Sequence, residues 1–197
     1  MVFNTKLSRD DLWSLEDYSE ARQAFRAEVI AHKKPRQVAL CPHATLYFED
    51  ATTIKYQIQE MLRVEKIFNR AGIEEELEAY NPLIPDGSNW KATFMIEYAD
   101  VDQRRAALAR MSGIEHTVWV RIGDGEKIFA IANEDLERST EEKAAAVHFM
   151  RFELGDAERA ALRLGAPVAM GIDHDALPCS ITVGADTAAS LAGDLSV

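Results

Sequence analysis

Apolar and polar residues recur along this chain with two periods, and the periods mark out its elements. Helical spacing places Leu15, Tyr18, Arg22, Phe25 and Val29 on one side of a helix opened by Ser14, with Asp17 completing a capping-box-like start. Pro35 ends that helix. RQVAL and ATLYFED follow as strands separated by the turn Cys41-Pro42-His43, because proline cannot donate to a sheet ladder. The spacing then predicts a helix over about Thr52 to Asn69, stopped by Gly72, and a short helix in IEEELEAY that ends at the prolines of NPLIP. KATFMIEY reads as a strand. Asp100 caps a helix that carries Val101, Leu108 and Met111 and closes at Gly113.

In the second half, TVWVRI and KIFAIA are joined by Gly123-Asp124-Gly125-Glu126, the strongest hairpin signal in the chain. An acidic, partly helical link from Asn133 to Lys143 leads into the long strand AAVHFMRFEL. Asp156 starts a helix that stops at Gly165, VAMGID and CSITV are strands, and Thr187 to Leu195 forms a terminal helix. Strands arrive in adjacent pairs as well as alternating with helices, with no repeat and no long linker. The expectation is a single α+β domain over residues 1–197, its largely antiparallel sheet packed against helices.

Composition narrows the partners. At 197 residues and 47% hydrophobic, the chain can fill one core. Its net charge of −11, from 33 acids against 22 bases, repels phosphate backbones and argues against nucleic acid. The only basic cluster, His32-Lys33-Lys34-Pro35-Arg36, closes a helix, where positive charge on a wet surface complements the dipole. No stretch approaches the roughly 20 apolar residues of a membrane span. The N-terminus reaches charge within six residues and lacks a signal peptide's apolar core. A cytoplasmic protein without a membrane partner is the expectation. The two cysteines, Cys41 and Cys179, do not make a disulfide framework.

Familiar chemistries fail on inspection. There is no glycine-rich phosphate loop or dinucleotide fingerprint, so no nucleotide cofactor is expected, and no nucleophile elbow. The five histidines are scattered, and Cys41, His43 and Cys179 fall short of a four-ligand zinc site. What remains is a carboxylate in an apolar stripe. At about 100° per residue, Glu65 joins Ile54, Ile58, Met61, Leu62 and Phe68, while Gln59 lies to the flank or behind and Glu60 falls toward solvent as a surface acid. A buried glutamate must be paired, protonated or bound to a cation.

His148 shares a strand face with Met150, Phe152 and Leu154, which makes it the first candidate partner, and Glu97, alternating with Thr93 and Met95, is a third core-facing polar group. A plainer reading stands beside this one: a satisfied core histidine, and a rim glutamate neutralised by Arg138 or Arg151. Tyr80-Asn81-Pro82-Leu83-Ile84-Pro85 is a rigid turn, either a structural corner or a pocket wall.

The blocks IQEMLRVEKIF, ELEAYNPLIPDGSNWKATFMIEY and DLERSTEEKAAAVHFMRFEL, together with RQVALCPHATLYFED, resemble an uncharacterised bacterial family known as domain of unknown function 3501. The likeness covers nearly the whole chain. It implies no activity and no catalytic residue, but by genomic company it implies rubrerythrin-like or iron–sulfur redox proteins as partners. The chain has no cysteine cluster to hold an iron–sulfur cluster itself. Two classes of function follow. One is a small-ligand or redox-partner binding or accessory protein, with Glu65, His148, Glu97, Tyr80 and Asn81 as candidate contacts. The other is a metal-dependent enzyme in which Glu65, His148 and His43 gather a single divalent cation, since mixed carboxylate–imidazole ligation suits iron, manganese or zinc.

Overall fold

Side chains that alternate along the strands sort onto the two faces of a five-stranded sheet, and each face is covered by different elements. The computed structural model describes residues 5–134 and 143–196. In chain order the elements are α1 (Leu15–Lys33), β1 (Gln37–Cys41), β2 (Ala44–Glu49), α2 (Ala51–Glu65), α3 (Arg70–Tyr80), β3 (Asn89–Ile96), α4 (Val101–Leu108), β4 (Val118–Ile122), β5 (Ile128–Phe129), β6 (Ile131–Ala132), β7 (Val147–Glu153), α5 (Asp156–Arg163), β8 (Val168–Ile172), β9 (Cys179–Thr182) and α6 (Ala185–Ala192). The fold is α+β with antiparallel pairing, divided between two sheets of order β1-β2-β3-β7-β6 and β5-β4-β8-β9.

Between the sheets lies the larger core. Leu46, Phe48, Trp90, Phe94, Met150 and Phe152 of the first sheet cluster with Val118, Val120, Val168 and Met170 of the second. The hairpin expected at Gly123–Glu126 forms, pairing Trp119 with Phe129 and Val120 with Ile128. Its second strand then crosses sheets: after Ala130, Ile131 pairs with Arg151 of β7. Gly171 lets the second sheet close up, for a Cβ there would stand 2.3 Å from the Cys179 carbonyl and 2.6 Å from the Trp119 ring. A smaller cluster of Leu7, Ile54, Ile58, Leu62, Leu77 and Ile84 belongs to the helical layer.

Helix α2 ends earlier than its apolar spacing predicts. Lys66 takes a left-handed conformation (φ 55°), and the Ile67 N–H bonds back to the Leu62 carbonyl at 2.9 Å, a helix-closing arrangement. Asn69 then caps α3 by accepting from the Gly72 N–H at 2.9 Å, so Gly72 lies inside α3 rather than stopping α2. A continuous wheel through Phe68 therefore does not exist, and Phe68 is 79% exposed. Most of the acidic link expected between Asn133 and Lys143 lies outside the described residues, as does Arg138.

The basic cluster departs from a wet surface in one residue. Arg36 is only 2% exposed. It donates to the carbonyls of Phe48 and Glu49 at 3.2 and 3.0 Å and pairs with Asp194 at 2.6 Å, pinning the C-terminal segment to the end of β2. Burial pushes the Asp194 carboxyl up to about 6, against the pull of the guanidinium. Two amide side chains hold the N-terminal segment as a strand partner would. Gln59 accepts from the Trp13 N–H at 2.7 Å, and Asn81 accepts from the Leu7 N–H at 2.7 Å while donating to the Leu7 carbonyl at 2.9 Å.

Candidate functional site

The structure separates the residues that the sequence brought forward as partners. Glu65, the last residue of α2, is exposed, with acidic Glu76 of α3 as a neighbour. His148 is fully buried on the inter-sheet face of β7 beside Phe94, with ring centroids 6.2 Å apart. The expected Glu65–His148 pair does not form: α2 contributes to the helical layer, and its last turn stops where the wheel assumed continuation. Glu97 is exposed just beyond β3 and accepts from the Thr45 hydroxyl at 3.0 Å, so it is not core-facing. His43 stacks on Tyr98 at 3.9 Å and its Nδ1 lies 3.0 Å from the Glu97 carbonyl. Glu65, His148 and His43 are not gathered, and among the described residues no three His, Cys, Asp or Glu side chains form a group that could hold a metal ion.

Other polar residues take the places that the wheel assigned elsewhere. Glu60 is the hub carboxylate of α2: it accepts from the Tyr18 hydroxyl at 2.7 Å, from Arg22 at 2.7 and 3.0 Å and from Arg63 at 3.0 Å. The Arg22 hydrogen bond, first among these influences, holds its carboxyl well below the ordinary range. The surface-acid reading of Glu60 therefore fails, because α1 folds back and brings Tyr18 and Arg22 over it. Gln59, placed to the flank or behind by the wheel, is fully buried. His148 is tied instead to Asn133, 3.4 Å from Nδ1, and to the Ala145 carbonyl, 3.0 Å from Nε2. Asn133 in turn donates to buried Glu115 at 3.2 Å.

The outer face of the first sheet presents the more open chemistry. Register places Glu49, Lys91 and Arg151 in one row across β2, β3 and β7, and Tyr47, Thr93 and Phe149 in the next. Over these rows lie two adjoining hollows that share Leu83 and Phe149 as walls. The first, about 490 Å³, is bounded by Lys33, Tyr47, Glu49, Thr53, Ile54 and Tyr80 among others. The second, about 470 Å³, is bounded by Pro82, Asp86, Lys91, Glu134 and Arg151. Both fall within the size range of small-molecule pockets, about 300–1,000 Å³.

Glu49 and Lys91 face each other across the strands, yet no hydrogen bond or ion pair joins them among the described residues. The Glu49 carboxylate accepts from the Thr53 hydroxyl at 2.6 Å and the Thr93 hydroxyl at 2.8 Å. Arg151 is held by Glu134 at 2.8 Å and by Glu153. Asp86 accepts from the Ser88 N–H and hydroxyl at 2.9 and 2.8 Å. Lys91 alone of the charged groups in this row has no hydrogen bond or ion pair among the described residues. Burial, and then the neighbouring Arg151, push its ammonium below the ordinary lysine range. Its signal was present in KATFMIEY, where alternation sets a lysine on the face of Thr93 and Met95. The sequence could not show that this face is hollow. Tyr80 lines the first hollow, whereas Asn81 serves as the structural corner that holds Leu7.

Among the described residues, no helix is long and apolar enough to cross a membrane. No curated protein matches the chain significantly. A crystal structure of a novel protein of unknown function from Burkholderia pseudomallei K96243 is 56% identical, spans 97% of this chain and 100% of its own, and superposes with a TM-score of 0.92. The model of the family described as protein of unknown function (DUF3501) matches residues 6–195, nearly every position from which the fold and its cleft are built. The chain belongs to the DUF3501 family.

Proposed function

We propose that this protein binds a small molecule in the cleft over the outer face of the first sheet, with Lys91 as its polar anchor. The observation that carries the reading is Lys91 itself: a half-buried ammonium without a protein partner among the described residues, beside apolar walls from Pro82, Leu83 and Phe149. A partly desolvated donor of this kind gains most from an acceptor supplied by a ligand. The neighbouring carboxylates are already engaged, by the Ser88 N–H and hydroxyl for Asp86 and by Arg151 for Glu134. The ligand this geometry suits has a compact apolar body and one accepting head, a carboxylate or a carbonyl. Glu49, on the adjacent strand and lining the first hollow with its two threonine hydroxyls, would favour a donor on a longer molecule that reaches into that hollow.

The test is calorimetric titration with short aliphatic and aromatic carboxylic acids and their amides. At least one should bind the wild-type chain, and Lys91→Met should weaken it at least about tenfold, the value of one charge-assisted hydrogen bond. Lys91→Arg should retain part of the affinity. Binding that survives Lys91→Met unchanged, or no binding by any member of the panel, overturns the reading.

A further inference from the structure

The chain has two cysteines, 138 positions apart, and the fold brings them to one place. Cys41 ends β1, an edge strand of the first sheet, and Cys179 begins β9, an edge strand of the second. β1 and β9 lie against each other, and both thiols are half-buried against the inter-sheet core. The two seams between the sheets differ. On one side the chain itself passes from β5 into β6, so the sheets are covalently continuous there. On the other side, β1 and β9 belong to different sheets and the seam is held by packing. The Cys41 thiol sits close enough to Cys179 to act on it: burial first, then Cys41, pushes the Cys179 thiol up to about 11.

We propose that Cys41 and Cys179 form a reversible intramolecular disulfide that fastens the open seam between the two sheets. The pairing joins the end of one strand to the start of another that lies against it. The oxidant is a small-molecule disulfide. The Cys41 thiolate attacks one of its sulfurs, forming a mixed disulfide and releasing one small thiolate. Cys179 then gives its proton to solvent and attacks the Cys41 sulfur, closing the protein disulfide and releasing the second thiolate. Two protein thiols lose two electrons and two protons, and the small disulfide is reduced to two thiols. Burial holds the Cys179 thiol above the ordinary range, which disfavours its thiolate as the first attacker.

Full-length protein is equilibrated under native conditions with excess oxidised glutathione, then measured by intact mass, by alkylation of remaining thiols and by thermal unfolding. The expected product is monomolecular, lighter by two hydrogen atoms, with no alkylatable thiol. Its melting temperature should rise by roughly 5–10 °C and return to the starting value with dithiothreitol. Cys41→Ser and Cys179→Ser, which are close in size to the native residues, should each show no such rise. The proposal is overturned if the wild-type chain keeps both thiols or accumulates only glutathione adducts. It is equally overturned by cross-linked dimers as the sole product, or by a single-cysteine variant that gains the same thermal shift.

Discussion

Glu60→Ala should be among the costlier substitutions on α2, and Glu65→Ala among the cheapest. Tyr18 is fully buried, and its hydroxyl donates to Glu60 at 2.7 Å. Removing the carboxylate leaves that hydroxyl without an acceptor, a loss of about 1–3 kcal/mol. Arg22 and Arg63, with 34% and 41% of their side chains exposed, can turn to water, so their bonds add less. A total of about 2–3 kcal/mol is expected. Glu65 makes no such contact and is exposed, so Glu65→Ala should stay within about 0.5 kcal/mol of the parent.

The assay is urea unfolding followed by circular dichroism, with free energies from linear extrapolation. A double-mutant cycle isolates the cause. If the stranded hydroxyl dominates, Tyr18→Phe in the Glu60→Ala background should recover about 1 kcal/mol. Equal stabilities for the two alanine variants, or no recovery with Tyr18→Phe, would refute the reasoning.

The remaining expectations are more compact. Because Glu60 is held well below its ordinary value of 4.5, its contribution is complete above that pH and is lost as the medium becomes more acidic; Glu60→Gln should flatten the acid limb of a stability–pH curve. Asn81→Ala should cost about 1–2 kcal/mol and expose the segment around Leu7 to limited proteolysis, since two hydrogen bonds hold it there; unchanged cleavage would count against the clamp. Gly171→Ala should destabilise by about 1–3 kcal/mol or more, as an added methyl meets both a backbone carbonyl and the Trp119 ring; a neutral result in thermal unfolding would show that the sheet gives way there. Duplex DNA should not shift in a gel at micromolar protein and physiological salt, because the net charge is −11 and the one basic cluster has its arginine committed to Asp194.

Local chemistry alone determined most of the elements. Ser14 and Asp100 cap helices where they were expected, the Gly123–Glu126 turn joins paired strands, and His148 lies on the face it shares with Met150 and Phe152. Each of these depends on residues within one turn or one strand of one another, and such short-range preferences are written in the order of the chain. Partners across the fold are not. The wheel placed Glu65 in a stripe running on to Phe68, but α2 ends at Glu65 with a left-handed Lys66, and both Glu65 and Phe68 are exposed. Glu60 read as a surface acid until α1 folded back and set Tyr18 and Arg22 upon it.

Lys91 lay on an identifiable strand face, but whether that face was packed or hollow depended on how α2 and the turn at Leu83 cover it. Cys41 and Cys179 carried no usable spacing, because their meeting follows from which edge strands of two sheets come together. Periodicity reports which side of an element is apolar; what lies opposite that side is decided by tertiary packing, which no local pattern encodes.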